Sequence, residues 1–253
     1  MKKINRIGEK TYNNQGCLME IIKYTNCNDI DIKFTNGCIL KHQTLQNFRK
    51  KNIKNPYHPE TYSVGYIGEG EYQSKINDKF TKQYITWSNM LKRCYNNEYQ
   101  AKHKTYIDCT VCKEWHNFQN FAKWFDENYY EIGNERMELD KDILFKNNKI
   151  YSPKTCMFVP QRINILFIKN DKQRGQYPIG VHYHKKNNKY ISRCNINKNN
   201  RKYLGSFDTK EEAFLKYKNF KENYIKQIAD EYKDKIPNIL YNAMYKWNVE
   251  IND

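Results

Sequence analysis

His182, His184, Arg193, Asn195, Arg201 and Tyr203 fall at alternate positions of three short runs, GVHYH, KYISRCNI and RKYLGSF, which have the composition of β-strands. Alternation assigns their faces. With Val181, Ser192, Cys194 and Leu204 turned toward a covering helix, those six residues turn away from it. Arginine, asparagine and histidine offer donors that read base edges in a major groove, and the same groups grip phosphate beside it. The alternative is an ordinary solvated sheet face, although few acidic residues interrupt this one.

A second pattern with chemistry in its spacing is CTVC, Cys109 and Cys112. A structural zinc needs two more ligands, and Cys94, Cys156, His103 and His116 lie near in sequence without forming a second close pair. Two small thiols in a core are the competing explanation. All eight cysteines are expected as buried thiols or metal ligands rather than as a disulfide framework, because the N-terminal MKKINRIGEK has no apolar signal-peptide core.

Periodicity outlines the elements that must position these residues. LMEIIKY and DIDIKF alternate apolar and polar positions around NCND, which predicts a small antiparallel β module over residues 1–57, closed by the basic LQNFRKKNIKNP. Pro56, Pro59, Gly65, Gly68 and Gly70 punctuate the next stretch, so residues 58–83 are expected as a linker or an ordered loop. Two amphipathic helices, YITWSNMLKRCYN and WHNFQNFAKWFDENY, flank YIDCTVC within residues 84–170. Their spacing turns Trp87, Trp115 and Trp124 inward as core rather than outward as base-stacking platforms. A second joint is expected at 170–178. Beyond it Thr209 and Glu212 form a capping-box pattern, opening a helix that lays Ala213, Phe214, Tyr217, Phe220, Tyr224, Ile225 and Ile228 on the sheet of residues 178–235. Residues 236–253 form a C-terminal extension. The class is α+β.

Charge narrows the partner. The 253 residues carry 44 Lys and Arg against 28 Asp and Glu, a formal net charge of +16, which favours a polyanion because neutralising phosphates releases condensed counterions. No apolar run approaches the roughly 20 residues of a membrane-spanning helix, so no membrane partner and a soluble, cytoplasmic protein are expected. A lysine- and asparagine-rich surface that is merely solvated would produce the same charge.

Residues 180–220 resemble the APETALA and ethylene-response-factor DNA-binding domain, on GVHYH, KYISRCNI, YLGSF and above all LGSFDTKEEA. The resemblance implies a three-stranded antiparallel sheet backed by one long helix, with the sheet in the major groove of double-stranded DNA. His182 and His184 stand where that family usually has arginines, and Tyr203 where it has tryptophan, so the target sequence does not carry over.

LDKDILFKNNKIYSPKTCMFVPQRIN, residues 139–164, is similar to the ββα module of HNH endonuclease-like phage and mobile-element proteins, and the likeness runs back through CTVCKEWHNFQNF to RCYN. It implies a hairpin with its turn at KNNK, a second strand entered through YSPKTC and a helix begun at PQRINILF. It further implies Asp140 and Asn164 as ligands of Mg2+ or another divalent metal, the only cofactor expected and needed only for catalysis. The histidine that would activate water is missing: Asp140 is followed by Lys141. Lysine as a base near neutrality would have to lose about 4 kcal/mol of its preference for the charged form, so Lys141 is better suited to clamp phosphate, with Asp142 the other catalytic candidate. Lys146 and Lys149 would add phosphate contacts. A turn-and-cap network in a non-cutting fold is the competing and narrowly preferred explanation of Asp140, Asp142 and Asn164.

Together these features predict a DNA-binding protein of a phage or mobile element, with an HNH-like module lacking its usual histidine. A non-catalytic regulator, an inhibitor contacting a host defence nuclease complex, and an active metal-dependent nickase are the alternatives. A sheet with few aromatic platforms favours a duplex over single strands.

Overall fold

The computed structural model describes residues 5–168, 176–197 and 200–251, so most of the joint expected at 170–178 and the two middle residues of the NKNN turn lie outside the described residues. The chain separates into two units, Met1–Glu127 with Lys149–Ser152, and Asn128–Asn148 with Pro153–Asp253. The division falls inside the segment 84–170.

In the first unit, alternation produces a four-stranded antiparallel sheet in the order β1 (Lys10–Tyr12), β2 (Leu18–Asn26), β3 (Asp29–Phe34) and β4 (Ile39–Gln43). Met19, Ile21, Ile30, Ile32 and Phe34 are almost fully buried on one face and are covered by Leu45 and Phe48 of helix α1 (Leu45–Arg49). Fully burying each side chain of this size contributes roughly 1.5–3 kcal/mol.

The segment after α1 is an ordered loop, with a short hairpin of β5 (Lys75–Ile76) and β6 (Lys79–Phe80). Tyr66 exchanges backbone hydrogen bonds with the segment at His116 and Phe118, each 2.9 Å long. Helix α2 (Lys82–Tyr95) buries Trp87, Met90, Leu91 and Cys94. After α3 (Asn97–Lys102) and β7 (Thr110–Val111), helix α4 (Phe118–Asn128) buries Phe118, Phe121, Ala122 and Phe125. The Trp87 indole donates to the carbonyl of Trp115 at 2.7 Å, and both tryptophans are fully buried. The inward assignment holds for them; Trp124 is half-buried, its ring 4.6 Å from that of Trp115.

The second unit contains β8 (Met137–Asp140), which pairs antiparallel with β10 (Met157–Pro160), followed by helix α5 (Gln161–Phe167). This is the expected strand, turn, strand and helix. Between them, β9 (Ile150–Tyr151) leaves for the first unit and pairs parallel with β7. The three-stranded antiparallel sheet β11 (Val181–His184), β12 (Lys189–Asn197) and β13 (Asn200–Phe207) precedes helix α6 (Lys210–Glu231), and α7 (Asn238–Tyr245) follows. The capping box is present: Thr209 Oγ1 accepts the Glu212 N–H and the Glu212 carboxylate accepts the Thr209 N–H, both at 3.2 Å.

Helix α6 departs from the expectation that one apolar face serves one sheet. Ala213, Phe214 and Tyr217 pack on Val181 and Cys194 of the three-stranded sheet. Tyr224, Ile225 and Ile228 instead join Ile143, Met157, Val159, Ile163 and Leu166 of the strand-strand-helix element, with Leu240 and Met244 of α7. A helix of 22 residues is about 33 Å long, more than a three-stranded sheet can cover, so its second half closes another core. The C-terminal extension is also integral: Trp247 packs against both clusters and Val249 lies in the sheet core. No helix among the described residues is long and apolar enough to cross a membrane.

Gly180 opens β11 at φ +78°, and a Cβ there would lie 2.1 Å from the ring of Tyr217. Gly180→Ala is therefore expected to lower stability by about 2–4 kcal/mol, combining left-handed strain with overpacking. Gly133→Ala, at φ +52° with open space around it, should lose only about 1 kcal/mol. Urea unfolding of the two variants measures the difference.

Candidate nucleic-acid interface

The register of the C-terminal sheet sorts its side chains. Val181 is opposite Ser192 and His182 opposite Ile191; across the other edge of β12, Arg193 is opposite Tyr203 and Asn195 opposite Arg201. Val181, Ser192 and Cys194 are buried, and Leu204 packs against the same cluster, so all four face α6 as the alternation predicts. The six remaining candidates share the opposite face.

A β-bulge makes this face possible. Ser192 pairs with Gly205 but Arg193 pairs with Tyr203, leaving Leu204 as an extra residue. Without it, Leu204 would oppose Arg193 and point outward. The bulge keeps Leu204 in the core and brings Tyr203 beside Arg193, and Gly205 at φ +139° supplies the backbone that the shift requires.

Asn195, Arg201 and Tyr203 are exposed, whereas His182, His184 and Arg193 are half-buried. The Arg201 Nε donates to Asn195 Oδ1 at 2.8 Å, which orients both groups before any partner arrives. Burial first, then the positive charges of Arg193, Arg201 and His184, hold the His182 imidazole below its ordinary pKa. Among the described residues, the buried His184 Nδ1 has no hydrogen-bond partner. Ile191, 8% exposed, sits on the same face opposite His182 and Ser206. Sequence reasoning passed over this apolar centre because alternation alone made it one more outward position.

The polar groups of residues 140–149 are occupied by internal bonds. Asp140 Oδ1 accepts the N–H groups of Asp142 at 2.8 Å and Ile143 at 2.7 Å, and burial is the main influence raising its carboxyl pKa. Lys141 is buried, its ammonium donating to both Asp142 oxygens and to the carbonyl of Asn148, each at 2.7 Å. Asn148 returns a bond from Nδ2 to the Lys141 carbonyl at 2.9 Å. Asn164 is half-buried on α5, the helix that packs on β8 and β10. Lys146 donates to the Asn248 carbonyl at 3.1 Å and pairs with Glu250 at 3.5 Å. Lys149, in the first unit, donates to the carbonyls of Thr105 and Ile107 at 3.1 and 3.4 Å. These lysines fasten loops as well as carrying charge.

The first unit holds both nearby histidines. His103 stacks on Tyr99 with centroids 4.3 Å apart, and His116 Nε2 lies 3.1 Å from the Val111 carbonyl. Tyr151 of β9 hydrogen-bonds Arg93 of α2, which ties the YSP stretch to RCYN and anchors the excursion of the chain.

Cys109 is buried with Sγ 3.7 Å from the Thr105 carbonyl, and burial pushes the Cys112 thiol up. Among the described residues, no third His, Cys, Asp or Glu joins this pair; the only such trio within 4.8 Å is Asp29, Asp31 and His42. Within CTVC, Cys109 and Val111 are buried and Cys112 is half-buried. In the trio, His42 sits at φ +55° in a bulge of β4, donating its N–H to Asp31 at 3.1 Å with Nδ1 2.9 Å from Asp29 Oδ1. These are donors that a divalent cation accepts, and here they satisfy one another and pin the bulge. The DID sequence was a signal for them, but the bulge that delivers His42 is invisible in it.

Among family models, curated proteins and solved structures, none matches this chain.

The two Asp140 hydrogen bonds give a test of its role. Asp140→Ala should lower stability by about 1–3 kcal/mol by stranding two partly buried donors. Asp140→Asn keeps an acceptor oxygen and should stay close to the parent, as read from urea midpoints.

Proposed function

We propose that the protein binds double-stranded nucleic acid through the outward face of the C-terminal sheet and holds it without cutting. The observation that carries this reading is the shared face of His182, His184, Arg193, Asn195, Arg201 and Tyr203, turned away from α6 in a chain of formal charge +16. Bidentate arginine and amide donors beside a small apolar centre suit a base edge flanked by phosphates. The likeness of this segment to the APETALA-type domain favours DNA as the duplex and the major groove as its place.

Support for holding rather than cutting comes from residues 140–148. A water-activating group is needed beside the metal in a phosphodiester hydrolase, and Lys141 occupies the histidine position as a buried ammonium paired with Asp142. Asp140 and Asn164 would be the residues to hold a divalent ion, yet one oxygen of Asp140 already accepts two backbone N–H groups.

Binding of labelled duplex, followed by fluorescence anisotropy, should weaken about 5- to 150-fold for Arg193→Gln or Arg201→Gln, equivalent to about 1–3 kcal/mol for a base contact. Where the replaced arginine neutralises a phosphate, the slope of log affinity against log salt should also flatten by about 0.9. His182 begins uncharged above its lowered pKa, and a nearby phosphate would raise that value, so binding takes up a proton and affinity should rise as pH falls through the histidine range. Supercoiled plasmid with Mg2+ should remain intact. Unchanged affinity in both arginine variants would overturn the interface, and nicking abolished by Asp140→Asn would replace the clamp with an enzyme.

A further inference from the structure

The first unit contains a thiol and an imidazole that the nucleic-acid reading does not use. Cys17 Sγ lies 3.3 Å from His58 Nδ1. Both are held from their backbones. The Cys17 N–H donates to Asn13 Oδ1 at 2.8 Å, and buried Asn13 is fixed in turn by its 2.9 Å bond to the Ile53 carbonyl. The His58 N–H donates to the Asn55 carbonyl at 3.1 Å, and the Asn55 N–H to Gln15 Oε1 at 2.6 Å. Two loops far apart in sequence thus converge to place sulfur against ring nitrogen. Cys17 is itself partly exposed, and His58, though not Cys17, lines a cleft of about 870 Å³ with Gln15, Lys54, Glu60, Tyr66 and Glu69.

A nucleophilic thiol needs a base within hydrogen-bond reach and an approach for its electrophile. We propose that Cys17 is a nucleophilic thiol with His58 as its base, and that the pair takes low-molecular-weight disulfides. Cys17 Sγ attacks one sulfur of R–S–S–R, and the Cys17–S–R bond forms as the R–S–S–R bond breaks. The thiol proton passes to His58 Nδ1 and then to the departing RS−, leaving RSH. The disulfide is itself the oxidant, and no other reactant is required.

The chain supplies its own controls. Cys27 is exposed, so access alone would make it the faster thiol. Cys38 is partly buried like Cys17, but burial and then the Glu69 charge push its thiol up.

The test treats the full chain with 4,4′-dithiodipyridine, quenches at intervals and reads each cysteine by peptide mass spectrometry. Cys17 should react about tenfold faster than Cys27, with Cys38 slower than both. In His58→Ala, Cys17 should fall below Cys27 while the Cys27 rate is unchanged, and added imidazole should restore part of the Cys17 rate. Faster reaction at Cys27 than at Cys17 in the parent overturns the proposal, as does an unchanged Cys17 rate in a folded His58→Ala. Foldedness is read from the buried Cys94 and Cys109, which stay unmodified in a native chain. If they react in the variant, the parent ranking of Cys17 against Cys27 decides alone.

Discussion

One helix closes two cores. Helix α6 lays Ala213, Phe214 and Tyr217 on the three-stranded sheet, and Ile225, Ile228 and Ala229 on the strand-strand-helix element with α7. A sheet of three strands has only one face to bury and cannot hide it alone, and the β8–β10 pair has even less apolar surface to close on itself. Both elements depend on the same rigid rod. The sheet's opposite face carries the arginines, Asn195 and the histidines because α6 occupies the other.

A similar constraint governs residues 140–148, where polar groups are held by one another. Asp140 commits one oxygen to two backbone donors, Asp142 and Asn148 hold the Lys141 ammonium, and Lys146 reaches the C-terminal segment. A buried ammonium is tolerated only when its donors are satisfied, and here the partners are a carboxylate and a carbonyl. A histidine in this place would be a smaller group that gains and loses a proton near neutrality. Lys141 instead locks the turn through its bonds to Asp142 and the Asn148 carbonyl.

Much of the architecture was legible in local pattern. Alternation in LMEIIKY and DIDIKF specified strands whose inward residues Met19, Ile21, Ile30, Ile32 and Phe34 are buried, and the Thr209–Glu212 spacing marked the start of α6 to the residue. The inward and outward sets of the C-terminal sheet were readable because each strand is short and its side-chain period is two. Two kinds of feature were not. Bulges at Leu204 and at His42 insert one residue into a ladder and change which side chains meet, and nothing in a period of two announces them. Pairings between distant segments, such as β9 with β7, Arg93 with Tyr151 and Cys17 with His58, come from chain closure rather than from spacing.

The sequence by itself determined the strands and helices, their buried faces, the excess of positive charge and the absence of histidine after Asp140, since each of these is a property of residue type or of its local period. Only the tertiary structure decided that α6 is shared, that the lysines of residues 141–149 are fastened to carbonyls and carboxylates, and that CTVC forms part of a core. Those outcomes depend on which surfaces meet across long loops, and they are fixed by packing volume and by the need of every buried donor for an acceptor.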